Sequence, residues 1–92
     1  MKIYTIDEIA TVLSKIEDPK IIEEFLTSIL TENEVADISS RWELVKKLDD
    51  GIPQRAIASE LGLSLCKITR GSKELQKNHS AFKKVLEIFK NL

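Results

Sequence analysis

Cysteine is nearly absent from this 92-residue chain: Cys66 stands alone, so no internal disulfide can form and a reducing compartment is implied. Histidine is as scarce. With only His79 and Cys66 of their kinds and no carboxylate cluster in a recognisable pocket, nothing assembles a nucleophile, base and oxyanion site, and metal-ligand spacing is missing too. An enzyme is therefore the poorest reading. Two prolines and three glycines are too few for a collagen-like or low-complexity chain. Apolar runs last only a few residues, far short of the roughly 20 needed to span a membrane, and no signal peptide is recognisable. These absences predict a cytoplasmic protein with no membrane partner. No strand-like alternation or internal repeat is present.

What remains is 42% hydrophobic and 32% charged, the composition of a globular domain. A chain this short buries only a modest fraction of its surface unaided, so dimerisation would help it. The formal net charge of −1 conceals an asymmetry: residues 1–50 carry six Lys and Arg against twelve Asp and Glu, and residues 51–92 carry eight against three. A basic C-terminal part suits a polyanion at one end of the molecule.

Helix signals follow in order. Thr5-Ile6-Asp7-Glu8 fits a capping box, with Ile6, Ile9, Val12, Leu13 and Ile16 at helical spacing behind it. Asp18-Pro19 ends that helix and starts the next, Asp as cap and Pro in the first turn. Ile21, Ile22, Phe25, Leu26, Ile29 and Leu30 make a stripe wider than a small monomer needs, which predicts a subunit interface. Thr31-Glu32-Asn33-Glu34 is a second capping box, opening a long central helix with Val35, Ile38, Trp42, Val45 and Leu48 on one face. That helix should end around 49–51, where Asp49 and Asp50 oppose its macrodipole and favour fraying. Pro53 enters a further helix. After a linker at 77–80, Phe82, Val85, Leu86 and Phe89 form the inner face of a last one.

Between them lies QRAIASELGLSLCKITRGS, from Gln54 to Ser72. Ile57 and Leu61 share a face, Ala58 leaves room for a crossing helix, Gly62 can close the first helix in a left-handed turn, and Ser64 can cap the second. Leu63 and Ile68 fill the corner. Leu65, Cys66 and Thr69 then point outward at the front of the second helix, where a helix-turn-helix protein presents its base-reading surface. Gly71 breaks the pattern, costing about 1 kcal/mol against alanine in a helix interior. Either it opens a gap for something flat beside Arg70, or it allows a tight contact between backbones. The prediction is one all-α domain over 1–92, with about six helices: dimerisation and central helices in 1–50, the helix-turn-helix in 54–75 and a C-terminal helix in 79–92.

ITRGS at 68–72 behind a helix-turn-helix, with Thr31 and Arg41 upstream, resembles the trp repressor family of bacterial tryptophan-responsive regulators. The resemblance covers roughly 28–75. It implies an intertwined homodimer that represses transcription at a double-stranded DNA operator, with no enzymatic cofactor and with L-tryptophan as corepressor between the central helix and the second helix of the motif. Arg41 and Arg70 match the family arginines that flank the indole, Arg70 pairing with the carboxylate. Thr31 and Leu30 match positions near the ligand, Leu44 an apolar contact to the ring, and Gly71 the gap that admits it. Two positions depart from the pattern. Glu74 replaces a family serine at the ligand ammonium, where it could strengthen that contact or pair with Arg70 or Lys73, and Ser28 replaces a leucine whose carbonyl faces the same ammonium.

For DNA, Arg55 matches the family arginine that reaches a guanine edge, and Gln54 a phosphate contact. Ser64, Leu65, Cys66 and Thr69 lie at the front of the reading helix. The family lysine three residues beyond Arg55 is Ala58 here, and one residue is missing between Gly51 and Gln54. Lys67 could replace the lost phosphate contact, while Lys73 and Lys77 extend the basic surface. An alternative keeps the fold and the DNA and replaces tryptophan by another small ligand or by none. A helical dimerisation module would leave the 54–72 motif without a purpose. The individual residues also have plainer roles: Thr31 as a cap, Arg41 paired with Asp37 one turn back, Trp42 as core.

Overall fold

The computed structural model describes residues 3–92 as six helices: α1 (Asp7–Leu13), α2 (Pro19–Ile29), α3 (Glu32–Asp49), α4 (Gln54–Leu61), α5 (Leu65–Gln76) and α6 (Ala81–Lys90). Among the described residues there is no strand, and no helix is long and apolar enough to cross a membrane. The chain divides into two compact units, one ending at Ala36 and the other Asp37–Leu92.

In the first unit, α1 begins later and ends earlier than its pattern predicts. Thr5 is not its cap: Ile6 takes that position, its carbonyl accepts the first helical bond from Ala10, and no side chain caps the end. The hydroxyl lies one residue too early to reach the exposed amides. At the other end the helix tightens after Leu13 into bonds from Lys15 to Val12 and from Ile16 to Leu13, so it stops well before Pro19. Asp18 and Pro19 do start α2: Asp18 is extended, as a residue before proline should be, and its carboxylate accepts from the Lys20 amide at 3.0 Å. The second capping box forms as predicted. The Thr31 N–H donates to Glu34 Oε1 at 2.9 Å, and the Glu34 N–H donates to Thr31 Oγ1 at 3.1 Å. The bond from the Thr31 amide foremost, and the Thr31 side chain after it, hold the Glu34 carboxyl below the usual carboxylate range.

No residue of α1 or α2 is buried. Ile21, Phe25 and Ile29 on the wide stripe of α2 are exposed, and an apolar groove of about 320 Å³ runs between the two helices past Ile9, Val12, Leu13, Ile16, Ile21 and Phe25.

The second unit holds a core of Leu44, Ile57 and Ile68, with Leu48, Ile52, Ala58, Leu61 and Leu63 packed on it. Ile57 and Ile68 are fully buried, each worth about 1.5–3 kcal/mol over exposure. This core ties the central helix to both helices of the motif. The fraying predicted at 49–51 is replaced by an ordered stop: Gly51 is left-handed at φ 79°, its N–H donates to the Leu48 carbonyl, and the Ile52 N–H donates to the Lys47 carbonyl. This is the paired bonding of a Schellman motif, and Ile52 then folds into the core. Asp49 is also neutralised by Lys90 of α6 at 2.6 Å, and the hydrogen bond to the Asp49 carboxylate, with its charge, raises the lysine pKa. Of the predicted inner face of α6, Leu86 is buried and Phe82 half-buried, whereas Val85 and Phe89 are exposed. Trp42 is half-buried rather than core, meeting Phe89 edge to face with centroids 5.6 Å apart.

Candidate ligand cavity behind a helix-turn-helix

Local signals build the corner as the sequence predicts. Pro53, extended at φ −58° and ψ 140°, precedes the first turn of α4. Gly62 closes that helix in the left-handed region at φ 64°, where a side chain would be strained, and Ser64 caps α5 by accepting from the Lys67 amide at 3.4 Å. Buried Ile57 and Ile68 hold the two helices at their crossing. Turned outward are Gln54 and Arg55 on the first turn of α4, and Leu65, Cys66, Thr69 and Lys73 along α5, all exposed. An open groove follows that outer face from Leu65 and Cys66 past Thr69 and Lys73 to Lys77.

The inner side of α5 faces α3 across a cavity of about 310 Å³, lined by Arg41, Leu44 and Val45 of α3, Lys67, Arg70, Gly71 and Glu74 of α5, and Phe82 of α6. Of the two explanations open for Gly71, the contact between backbones is replaced by one with side chains of α3. The glycine is buried, and a Cβ added there would meet Leu44 Cδ2 and Leu48 Cδ1 at 3.3 Å, so it allows α5 to lie close on α3. The close partners are leucine side chains, not backbone. The same glycine forms part of the cavity wall.

Five of the eight residues predicted for the ligand thus meet in one place: Arg41, Leu44, Arg70, Gly71 and Glu74. Ser28, Leu30 and Thr31 belong to the first unit, where Ser28 is exposed on α2, Leu30 is half-buried at its C-terminus and Thr31 caps α3. Three lining residues were not foreseen. Val45 follows Leu44 on the same helix, so its presence needed only the turn of α3. The sequence marks Lys67 as a phosphate contact alone, though it lies one turn before Arg70. Phe82 is marked by the sequence only as an inner-face residue of the last helix, because nothing in local spacing relates α6 to α5.

The charges around the cavity are unbalanced. Among the described residues neither Arg41, Lys67 nor Arg70 takes part in an ion pair, and the pairing of Arg41 with Asp37 is not formed. Glu74 pairs with neither Arg70 nor Lys73; its Oε1 accepts from Lys77 Nζ at 2.8 Å. Three free cations beside apolar walls from Leu44, Val45 and Phe82 suit a flat ligand with an anionic end. Guanidinium groups stack on aromatic faces and grip carboxylates with two parallel bonds.

A family model described as Trp repressor protein matches residues 4–90. A protein named Trp operon repressor homolog from Chlamydia trachomatis serovar L2 is 33% identical over 78 residues, 84% of this chain and 83% of its own length. Its namesake in Chlamydia caviae is 38% identical over 80 residues (86% and 76%), and that of Xylella fastidiosa strain M23 is 36% identical over 69 residues (74% and 75%). No solved structure matches significantly.

Proposed function

This chain belongs to the trp repressor family, a family of transcription regulators and not of enzymes, and from that premise we propose that it is a homodimeric repressor whose operator binding is switched on by L-tryptophan. The observation that carries the reading is the cavity between α3 and α5, flanked by unpaired Arg41 and Arg70 and lying directly behind the helix that presents Leu65, Cys66 and Thr69. The indole lies between the two guanidinium groups, Arg70 takes the carboxylate, Leu44, Val45 and Phe82 supply the apolar walls, and Lys67 adds a third positive charge. The family resemblance adds Ser28, Leu30 and Thr31 to the surroundings of the ligand.

The ligand acts as a wedge. Ile68 and Gly71 pin α5 to the core, so a planar group beside them sets the tilt of the exposed front of the helix. Both recognition helices of a dimer can then enter successive major grooves about 34 Å apart, a geometry for which trp repressors are themselves an established example. Coupling of this kind is typically about 1–3 kcal/mol and reciprocal, so operator DNA tightens ligand binding by the same factor. Gln54, Ser64 and Lys73 contact phosphate, and Arg55 reads a base edge. The exposed apolar stripe of α2 and the groove beside it are covered by a second copy, which a chain of this size needs to bury enough surface. A second reading follows from Glu74 and Lys67: the same fold and DNA contacts with a different aromatic acid in the cavity.

Isothermal calorimetry of L-tryptophan, with indole-3-propionate as the ligand lacking an ammonium, tests the proposal. Saturable binding of tryptophan at one site per subunit is expected, together with tighter operator binding in band shifts. No heat from either ligand in a folded protein would overturn the tryptophan reading and leave a regulator with another signal or none.

A further inference from the structure

Glu74 stands on the ridge between the ligand cavity and the outer groove of α5: it lines both, and Arg70 is the one other residue that does. In the structure its carboxylate is taken by Lys77, which sits at the C-terminal cap of α5 and lines the outer groove with Cys66, Thr69 and Lys73. The pair is weak by its setting: both side chains are open to solvent, at 62% for Lys77 and 43% for Glu74, and they lie three residues apart at a helix end. A stronger partner for Glu74 would therefore displace Lys77 readily.

Building on the ligand reading above, we propose that Glu74 and Lys77 form a charge exchange that makes operator binding sensitive to the ammonium of the ligand. An aromatic amino acid in the cavity gives its ammonium to Glu74; Lys77 is released, and its charge becomes available to a DNA phosphate on the outer face. A ligand with the same ring and carboxylate but no ammonium fills the cavity and leaves Lys77 held. The chain thus reports two properties of the ligand by separate means, its shape through the tilt of α5 and its amine through the charge of the DNA face. The exchange needs both residues, since Glu74 is the one carboxylate in the cavity wall and Lys77 its one ion-pair partner among the described residues.

The test is the salt dependence of DNA binding, which counts phosphates neutralised at about 0.9 in the log–log slope per contact on duplex DNA. Without ligand, Glu74→Gln should bind with a slope about 0.9 per subunit steeper than the unmodified protein, because glutamine does not hold Lys77. With L-tryptophan saturating, that difference should close. Lys77→Gln should mirror it, losing about 0.9 per subunit when L-tryptophan is bound and almost nothing when it is absent. Both positions are solvent-facing at the end of α5, and the mirror variant keeps the test intact should one of them fold poorly. A Glu74→Gln difference of the same size with and without tryptophan, while calorimetry shows tryptophan bound, would overturn the exchange and leave the corepressor reading standing. No tryptophan binding at all would overturn both.

Discussion

Alanine at position 71 separates the two duties of that glycine. In a helix interior the change gains about 1 kcal/mol of propensity. Against this, the new Cβ lies 3.3 Å from Leu44 Cδ2 and from Leu48 Cδ1, closer than comfortable carbon contact by a few tenths of an ångström. Overpacking of a filled core costs about 1–3 kcal/mol, so the net expectation is a loss of about 0–2 kcal/mol. The upper half of that interval is favoured because Leu44 is only 3% exposed and is held by Ile57 and Ile68, leaving Leu48 as the only side chain with room to move. A loss of about 1 kcal/mol would lower the melting temperature by about 4–8 °C in a domain of this size. Ligand binding should suffer more. Leu44 is part of the cavity wall, and its shift narrows the slot that the proposed function fills with a flat ring; a weakening of at least about tenfold, or about 1.4 kcal/mol, is expected. Thermal unfolding and tryptophan calorimetry on Gly71→Ala, with Gly71→Ala/Leu48→Ala as the variant in which one clash is relieved, measure the two effects separately. An alanine variant that is more stable by the full helix-propensity gain and binds tryptophan normally would refute the reasoning, because it would show slack between α3 and α5 where the structure places contact.

Other changes act on one duty at a time. Arg70→Ala should remove tryptophan-dependent operator binding while circular dichroism shows an unchanged helical fold, since the exposed guanidinium makes no ion pair that the fold needs; a normal response to tryptophan would remove Arg70 from the site. Arg55→Ala should lower discrimination at one operator base pair by about 1–3 kcal/mol and leave tryptophan affinity in the free protein unchanged, as band shifts on operator variants and calorimetry would show. Thr31→Ala should destabilise the protein by about 1 kcal/mol through loss of the cap on α3. The partner bond has a pH signature: because the Glu34 pKa is lowered in the fold, its contribution is present above the ordinary carboxylate pKa and is lost as pH falls through the lowered value. Acid titration of stability should therefore show a smaller loss in Glu34→Gln than in the unmodified chain.

The parts legible in the sequence are those set by short-range chemistry. Thr31 and Glu34 lie at the spacing that lets each satisfy the other's amide, Gly62 takes the one conformation that favours glycine, and Ser64 reaches back to the next free N–H. Thr5 and Glu8 have the same spacing and form no box, because α1 is short, has no buried residue and lacks packing that would hold its first turn at Thr5. The stop of α3 is similar in origin. Asp49 and Asp50 suggested fraying from charge alone, yet Gly51 supplies a left-handed closure and Lys90, forty-one positions from Asp49, supplies the countercharge. Long-range partners of this kind leave no mark in local spacing. Phe82 entered the cavity wall unannounced for that reason, and Lys77, three residues beyond Glu74, takes its carboxylate in place of the alternatives Arg70 and Lys73.

The distribution of cations carries the argument a step further. Every ion pair among the described residues is made by a lysine: Lys46 with Glu43, Lys47 with Glu60, Lys77 with Glu74 and Lys90 with Asp49. Two of them join elements, α3 to α4 and α3 to α6. The chain has three arginines, Arg41, Arg55 and Arg70, and none of them makes an ion pair among the described residues. A lysine offers a compact charge on a flexible stem, which is enough to neutralise a carboxylate at the surface; an arginine offers a planar fork, which matters where a carboxylate, a ring face or a guanine edge must be recognised by shape. Arginine confined to the cavity and to the front of α4, with lysine doing the pairing elsewhere, is the division expected of a small domain in which recognition and cohesion draw on different cations. Arg41→Lys and Arg70→Lys would keep the charge of the cavity and lose the fork, so tryptophan affinity should fall in both; affinity unchanged by either replacement would mean that charge alone binds the ligand.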